Sequence, residues 1–500
     1  MVRTPVLFGF ITLLLTSPSY AQVHYEENRP WEQKANEGPD SEVPGWYYNL
    51  GLSGLRVELV EDAPRQLLVR YVFPDSPAYR RLIPGDRIIG AAKKRFKTDH
   101  RNGYGMDVFG PQGPILDFAR ALESCQQRSK RGKLSLIILR EGKEKKIDLK
   151  IGGGYGTFDK KYPEDCKKSS RIVEELCRYL VKEQGKDGSW GIAPHNTFAP
   201  LALLASGKKK YFPAVRKNVE FHARSTRAED DSWLINWRYM AAAVVMSEYY
   251  LATREKWVLK EIQEVYDFLT TTQYMDLSQV NPKVKESHPD AYPKDGMDSH
   301  GGWGHNPGFE GYGPISMITG QGALAFALMN RCGIKVDQKR HQAAYAFLAR
   351  STGESGYVWY KDSAASPTNW ADMGRTGAAG IANALSPYKG RAYKENALLH
   401  ARMIGQHPES FPDTHGSPIM GMGYTALAAH VDPKSFRRLM DESRWWFVLA
   451  QCNDGTFYYQ PNRDNAGYGS DSRLSASAVT AFILQIPKKN LHVTGKPHRK

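Results

Sequence analysis

Two stretches far apart in the chain carry one spacing: Gln184, Asp187, Gly188, Ser189 and Trp190, then Gln451, Asp454, Gly455, Thr456 and Phe457. Degenerate copies stand at Gln273 with Gly301, Gly302 and Trp303 after a long insertion, at Gly356, Tyr357 and Trp359, and at Gln406 to Phe411. Each copy follows a long amphipathic stretch and precedes one rich in small residues. A unit repeated in this way packs the same way each time, so it constrains the whole C-terminal part to stacked, equivalent helix pairs. The periodicity predicts six pairs. The larger helices span about 171–182, 214–223, 257–271, 338–349, 392–405 and 434–449; their small-residue partners span 198–205, 237–251, 321–331, 376–385, 423–429 and 475–484. Small residues suit an inner ring that packs around an axis, with charged helices outside. That is an (α/α)6 toroid, in which the Asp-Gly pair supplies the positive-φ turn and the aromatic fills the gap beside the next helix.

The repeats at Gln184 to Trp190 and Gln451 to Phe457 resemble those of the terpenoid-cyclase and protein-prenyltransferase toroid, over residues 169–487. The activities of that family are not implied. Glu229, Asp230 and Asp231 do not form the Asp-x-Asp-Asp acid of the cyclases. Cys332 and Cys452 lack the aspartate two positions upstream that a prenyltransferase zinc site uses, and no thioester motif is present.

The N-terminal part reads differently. Arg3, the apolar run Val6 to Leu15 and the small residues Ser19 and Ala21 predict a signal peptide over 1–21, too short to span a bilayer. A flexible acidic leader follows over 22–44. Residues 45–152 alternate short apolar runs with glycine and proline around one helical stretch from Ile115, predicting a small β-rich domain. Within it Asn49 to Gly54, Ser76 to Ala78, Leu82 to Ile89 and Leu139 to Lys143 look like a bacterial PDZ domain. That resemblance implies a carboxylate-binding loop at Leu50, Gly51 and Leu52 and a peptide lying beside the helix from Ile115. The reading also allows a spacer without ligand. A linker over 153–168 and a basic disordered tail over 488–500 complete the plan. Signal, PDZ and toroid together resemble an uncharacterised secreted bacterial family, which implies a secreted or periplasmic protein.

Five cysteines in an exported chain of this size are too few for a disulfide framework and have no Cys-x-x-Cys spacing; buried, inert thiols are expected. The chain carries 68 basic and 53 acidic residues, a net charge of +15. Residues 45–152 hold 21 of the basic and 12 of the acidic ones, concentrated at Lys93 to Lys97 and Arg128 to Lys133. Export excludes nucleic acid as partner and leaves an acidic peptide, an anionic surface or an anionic polymer.

In such a toroid all inner-helix N-termini open at one rim, where their dipoles favour anions. The loops there carry Asp298 and His300, with Trp303 and His305 nearby, then Asp372 and Arg375, then Asp413 and His415, and finally Tyr468, Asp471 and Arg473; Trp237 and Arg238 precede the second inner helix. Asp298, His300, Asp372, Arg375, Tyr468, Asp471 and Arg473 are the candidate catalytic set, by general acid/base chemistry. The same residue types serve as helix caps and ion pairs. No cofactor or metal is expected, because the spacing of Asp298, His300 and His305 fits no metal signature. Two functions stay open. One is a binding or scaffold module using the PDZ-like domain and the toroid; the other is a hydrolase or lyase acting on an anionic polysaccharide or other polymer at the mouth, with Trp237, Trp303 and Trp370 as sugar-binding aromatics.

Overall fold

The computed structural model describes residues 25–26, 29–30, 46–60, 62–101, 111–152, 154–227, 233–414, 417–460 and 473–497. The expected signal peptide and most of the leader lie outside them. So do Asp230, Asp231, His415, Tyr468 and Asp471.

Strands β1 (Tyr25–Glu26) and β2 (Arg29–Pro30) pair with each other. The β-module is a seven-stranded antiparallel sheet of β3 (Trp46–Asn49), β4 (Leu55–Leu59), β5 (Leu67–Val72), β6 (Arg87–Ala91), β7 (Lys94–Arg95), β8 (Lys133–Arg140) and β9 (Lys143–Lys150). The order is β3-β4-β5-β6-β8-β9, with β7 paired to β6. Helix α1 (Pro114–Cys125) covers one face with Ile115, Phe118, Ala119 and Leu122. Strand β4 is buried throughout: Leu55, Val57 and Leu59 enter the module core, while the Arg56 guanidinium lies 4.9 Å from the Tyr458 ring of the helical part. Period-two alternation thus serves two cores at once.

The helical part alternates outer and inner helices. In chain order these are α2 (Lys167–Glu183), α3 (Ala193–Ala205), α4 (Phe212–Ser225), α5 (Ile235–Thr253), α6 (Trp257–Thr272), a single turn α7 (Val284–Ser287) in the insertion, α8 (Ser316–Cys332), α9 (Gln338–Arg350), α10 (Gly374–Leu385), α11 (Arg391–Gln406), α12 (Pro418–Ala429), then α13 (Pro433–Glu442) with α14 (Arg444–Leu449), and α15 (Arg473–Ile483). The inner helices α3, α5, α8, α10, α12 and α15 each touch the next, and α15 closes on α3. The result is an all-α toroid of six pairs. The last outer helix, expected to be continuous, breaks at Ser443.

At Gln184 and Gln273 the repeat is a latch between neighbouring pairs. Gln184 Nε2 donates to Gly188 O at 2.9 Å and to Ala214 O of the next outer helix at 2.8 Å. Gln273 Nε2 does the same with Gly301 O at 2.8 Å and Arg340 O at 3.0 Å, despite the insertion between them. The turn glycines Gly188 and Gly301 have φ of 91° and 87°, and a Cβ on either would fall 2.3 Å from a backbone carbonyl of the next outer helix. Only glycine meets both demands. The backbone N–H at the aromatic position donates to a side chain in the first turns of the next inner helix: Trp190 to Asn196, Trp303 to Thr319 and Phe457 to Ser477, at 2.8 to 3.0 Å.

Two stretches are more ordered than expected. The linker is packed: Phe158, Tyr162 and Cys166 are buried, and the Tyr162 hydroxyl donates to Met440 O. The tail expected over 488–500 is not disordered through residue 497, because Leu491 and Val493 are buried and the Glu248 carboxylate accepts the N–H groups of His492 and Val493 at 3.1 and 2.7 Å. All five cysteines are free and buried. Among the described residues no helix is long and apolar enough to cross a membrane.

Candidate functional site

The loop expected to hold a peptide carboxylate faces the toroid instead. Leu50, Gly51, Leu52 and Ile115 are all buried, and a Cβ on Gly51 would fall 2.4 Å from Val448 O of α14. Helix α14 packs on both the 51–53 turn and α1, and the Asn49 N–H donates to Gln460 Oε1 at 3.0 Å. The peptide-binding assignment of these four residues is therefore corrected. Their apolar character serves the junction between module and toroid.

The N-terminal ends of all six inner helices surround an open cavity of about 710 Å³. The insertion 274–314 does not plug it. Its own small core of Tyr274, Val284 and Phe309 folds it back on itself, and it lends His305 and Tyr312 to the cavity wall.

Two sets of polar groups meet there. Asp372, at the start of α10, sits at φ 52°, a strained conformation for a residue with a side chain. Its Oδ2 pairs with Arg375 Nη1 at 2.9 Å, both side chains being more than nine-tenths buried. Arg375 Nη2 donates to Tyr357 Oη at 2.7 Å, and its guanidinium lies 5.4 Å from the Tyr360 ring. Burial works against the charged guanidinium, but the Asp372 carboxylate and the two tyrosines outweigh it, and its pKa is raised.

The second set is a hydrogen-bonded chain. Trp237 Nε1 donates to His305 Nδ1 at 2.8 Å, so the neutral ring carries its proton on Nε2. Nε2 donates to Tyr312 Oη at 2.5 Å, and Tyr360 Oη donates to the same oxygen at 3.0 Å. Burial lowers the His305 pKa and raises that of Tyr360, favouring the neutral form of each. Tyr312 Oη thus accepts twice, and its own proton is left to point elsewhere, at a position 36% exposed beside the cavity.

Among the described residues, Asp372 and Arg375 are thus the members of the candidate set that line the cavity. Asp298 and His300 do not line it: Asp298 Oδ2 accepts the Lys294 N–H at 2.7 Å and His300 Nδ1 donates to Met275 O at 2.7 Å, both within the insertion. Arg473 opens α15 and pairs with Asp454 of the last repeat turn at 3.6 Å. Of the expected sugar-binding aromatics, Trp237 lines the cavity. Trp303 is fully buried, and Trp370 stacks on His407 with centroids 5.2 Å apart. Tyr312, Tyr360 and Trp233 escaped the sequence reading. Trp233 is 72% exposed at the rim, and all three stand in loops that precede an inner helix, which is the signal that could have found them.

Among the described residues no group of histidine, cysteine and carboxylate side chains could hold a metal. A family model described as a domain of unknown function (DUF6288) matches residues 169–495. No curated protein matches the chain. Solved structures that match include the GH76A α-1,6-mannanase of Salegentibacter sp. HEL1_6, at 12% identity over 63% of this chain and 97% of that one with TM-score 0.44. A family 76 glycoside hydrolase from a bovine Bacteroides thetaiotaomicron strain matches at 10% identity over 70% and 83%, TM-score 0.45. A family 88 glycosyl hydrolase from Bacteroides vulgatus matches at 10% over 63% and 98%, TM-score 0.41. At this level the likeness carries no inference about activity. The expected kinship with terpenoid cyclases and prenyltransferases, and with a secreted family pairing PDZ and toroid, is overturned: the matching family model is a different one and covers the toroid.

Proposed function

This chain belongs to the family described as a domain of unknown function (DUF6288), and we propose that its toroid is an exported carbohydrate-active enzyme that breaks glycosidic bonds in the mouth cavity. One observation carries the reading. A carboxylate held in a strained turn, Asp372, and a phenol whose oxygen already accepts two hydrogen bonds, Tyr312, line one open cavity with Trp237 and Trp233 beside them. A scaffold needs only a filled ring and a stable outer surface; it has no use for a buried ion pair beside a cavity of this size.

In this reading Asp372 accepts a proton and Tyr312 donates one, while the ion pair with Arg375 fixes the position of the Asp372 carboxylate. His305 and Trp237 act through Tyr312, by directing its proton into the cavity. The aromatic faces of Trp237 and Trp233 suit the apolar faces of sugar rings. The exposed basic runs Lys93 to Lys97 and Arg128 to Lys133 of the β-module would favour an acidic polymer by long-range attraction.

The test is a screen of the purified full-length chain against neutral and acidic polysaccharides, reading new reducing ends and the ultraviolet absorbance of unsaturated products. Asp372→Asn and Tyr312→Phe are each expected to lower turnover by about 100-fold or more, as loss of a positioned acid or base does. Absence of cleavage across the panel, or wild-type turnover in both variants, would sink the proposal.

A further inference from the structure

The ion pair and the His305–Tyr312–Tyr360 chain gather on one side of the cavity wall, among apolar neighbours such as Leu234, Ile315 and Met317. Trp237, His305, Tyr312, Tyr360, Asp372 and Arg375 belong to the consecutive sectors of α5, α8 and α10. Across the ring, the sectors of α3 and α12 contribute Ile192, Ala193, Pro194, Pro418, Ile419 and Met420, and α15 between them contributes Ser475. Ile192 is 61% exposed at the mouth.

Two of the polar side chains on that second side, Asn196 and Ser475, are already hydrogen-bonded within the protein. Asn196 Nδ2 donates to Gly191 O at 2.7 Å and its Oδ1 accepts the Trp190 N–H at 2.8 Å. Ser475 Oγ is bonded to His195 Nε2. Sugar hydroxyls pressed against this wall would lose their water without gaining partners, which is unfavourable. Methylene groups placed there would gain with each one buried. A ligand made of sugar alone therefore satisfies only half of the cavity.

We infer that the ligand is amphiphilic: a glycoside whose sugar lies against the α5, α8 and α10 sectors and whose apolar substituent, an alkyl or acyl chain, lies against Ile192, Pro418, Ile419 and Met420. The inference rests on the carbohydrate reading above and narrows its substrate class. It gives the exposed Ile192 a partner, where an apolar residue at a cavity mouth otherwise faces water.

The test is titration calorimetry of the full-length protein with n-octyl glycosides of glucose, galactose, mannose and glucuronic acid below their micelle concentrations. Methyl glycosides of the same sugars, the corresponding oligosaccharides and n-octanol serve as comparisons. At least one octyl glycoside is expected to bind at one per chain and at least tenfold tighter than both its methyl counterpart and octanol. Ile192→Asp, at an exposed position that folding does not need, is expected to remove fivefold or more of that gain and leave methyl-glycoside binding unchanged. Equal binding of octyl and methyl glycosides, or tighter binding of an oligosaccharide, overturns the inference and leaves the carbohydrate reading standing. Octanol binding as tightly as every octyl glycoside, or no binding by any probe, overturns both.

Discussion

Between about pH 8 and pH 4.5 the folded chain is expected to lose about 7 kcal/mol of stability, measured as a fall in the urea unfolding free energy. Four histidines held neutral by burial drive it: His430, whose imidazole is pushed down to about 4, and three that each give a proton to a backbone carbonyl. His222 Nε2 donates to Asn196 O at 3.2 Å, His341 Nε2 to Ala323 O at 2.9 Å and His400 Nδ1 to Gly356 O at 2.8 Å. Burial pushes each imidazole down to about 4 from 6.5, against a carbonyl that favours the proton only weakly. Below pH 6.5 the unfolded chain takes up these protons and the folded chain does not, so the stabilisation present above pH 6.5 is lost as pH falls toward 4. Each site contributes about 2–3 kcal/mol of the loss by pH 4.5.

Glu248 works in the opposite direction. Burial raises its carboxyl to about 7, against the two N–H groups of His492 and Val493 and the charges of Arg331 and Lys496, which lower it. The folded state binds that proton between about pH 7 and 4.5, and so recovers about 3 kcal/mol over the same range. The net loss remains about 7 kcal/mol, a large part of the 5–15 kcal/mol that holds an ordinary domain folded. His341→Asn should reduce the proton uptake on unfolding by about one in this window, whatever it does to stability at pH 8. A flat dependence of the unfolding free energy on pH, or an unchanged slope in the variant, would contradict the assignment.

Trp303→Ala is expected to destabilise the toroid by about 3–5 kcal/mol, the range for removing a large buried aromatic. The indole is fully buried. It packs edge-on against Phe326 with ring centroids 5.4 Å apart, and it lies so close to Gly322 that a Cβ there would be 2.7 Å from the ring. Its Nε1 donates to Leu269 O at 2.9 Å, at the C-terminal end of the preceding outer helix. Removal leaves a cavity between α6 and α8 and a carbonyl without its donor. Trp190 occupies the same place one latch earlier, with Nε1 bonded to Leu180 O at 2.8 Å, so Trp190→Ala should fall in the same range. Trp237→Ala, whose ring borders the open cavity, should lose much less. A shift of under about 1 kcal/mol for Trp303→Ala would show that the insertion, not the latch, holds this repeat.

These two tryptophans show how far sequence reasoning reached. Trp303 had two expected roles, plug of a repeat and platform for a sugar; the structure assigns the first, because the residue follows the turn glycine Gly301 at the latch spacing. Asp372 and Arg375 were legible as site residues because they precede an inner helix. Asp298 and His300 satisfied the same rule, yet the insertion between Gln273 and Gly301 is long enough to fold on itself and to use their polar atoms internally. Leu50 to Leu52 were legible as a tight apolar turn. That α14 would cover it could not be read, since nothing in residues 45–152 records the surface of residues 444–449.

What the sequence determined by itself is the ring: the recurrence of glutamine, Asp-Gly and an aromatic at one spacing demands equivalent helix pairs, because each member bonds or packs within a few residues of its neighbours or onto the next unit. What only the tertiary structure decided is the site. Trp237, His305, Tyr312 and Tyr360 come from segments scattered over more than 120 positions, and their hydrogen bonds exist only once the ring has closed. Local chemistry repeats along a chain and is legible there; a cavity wall is assembled across the chain, from distances that no spacing encodes.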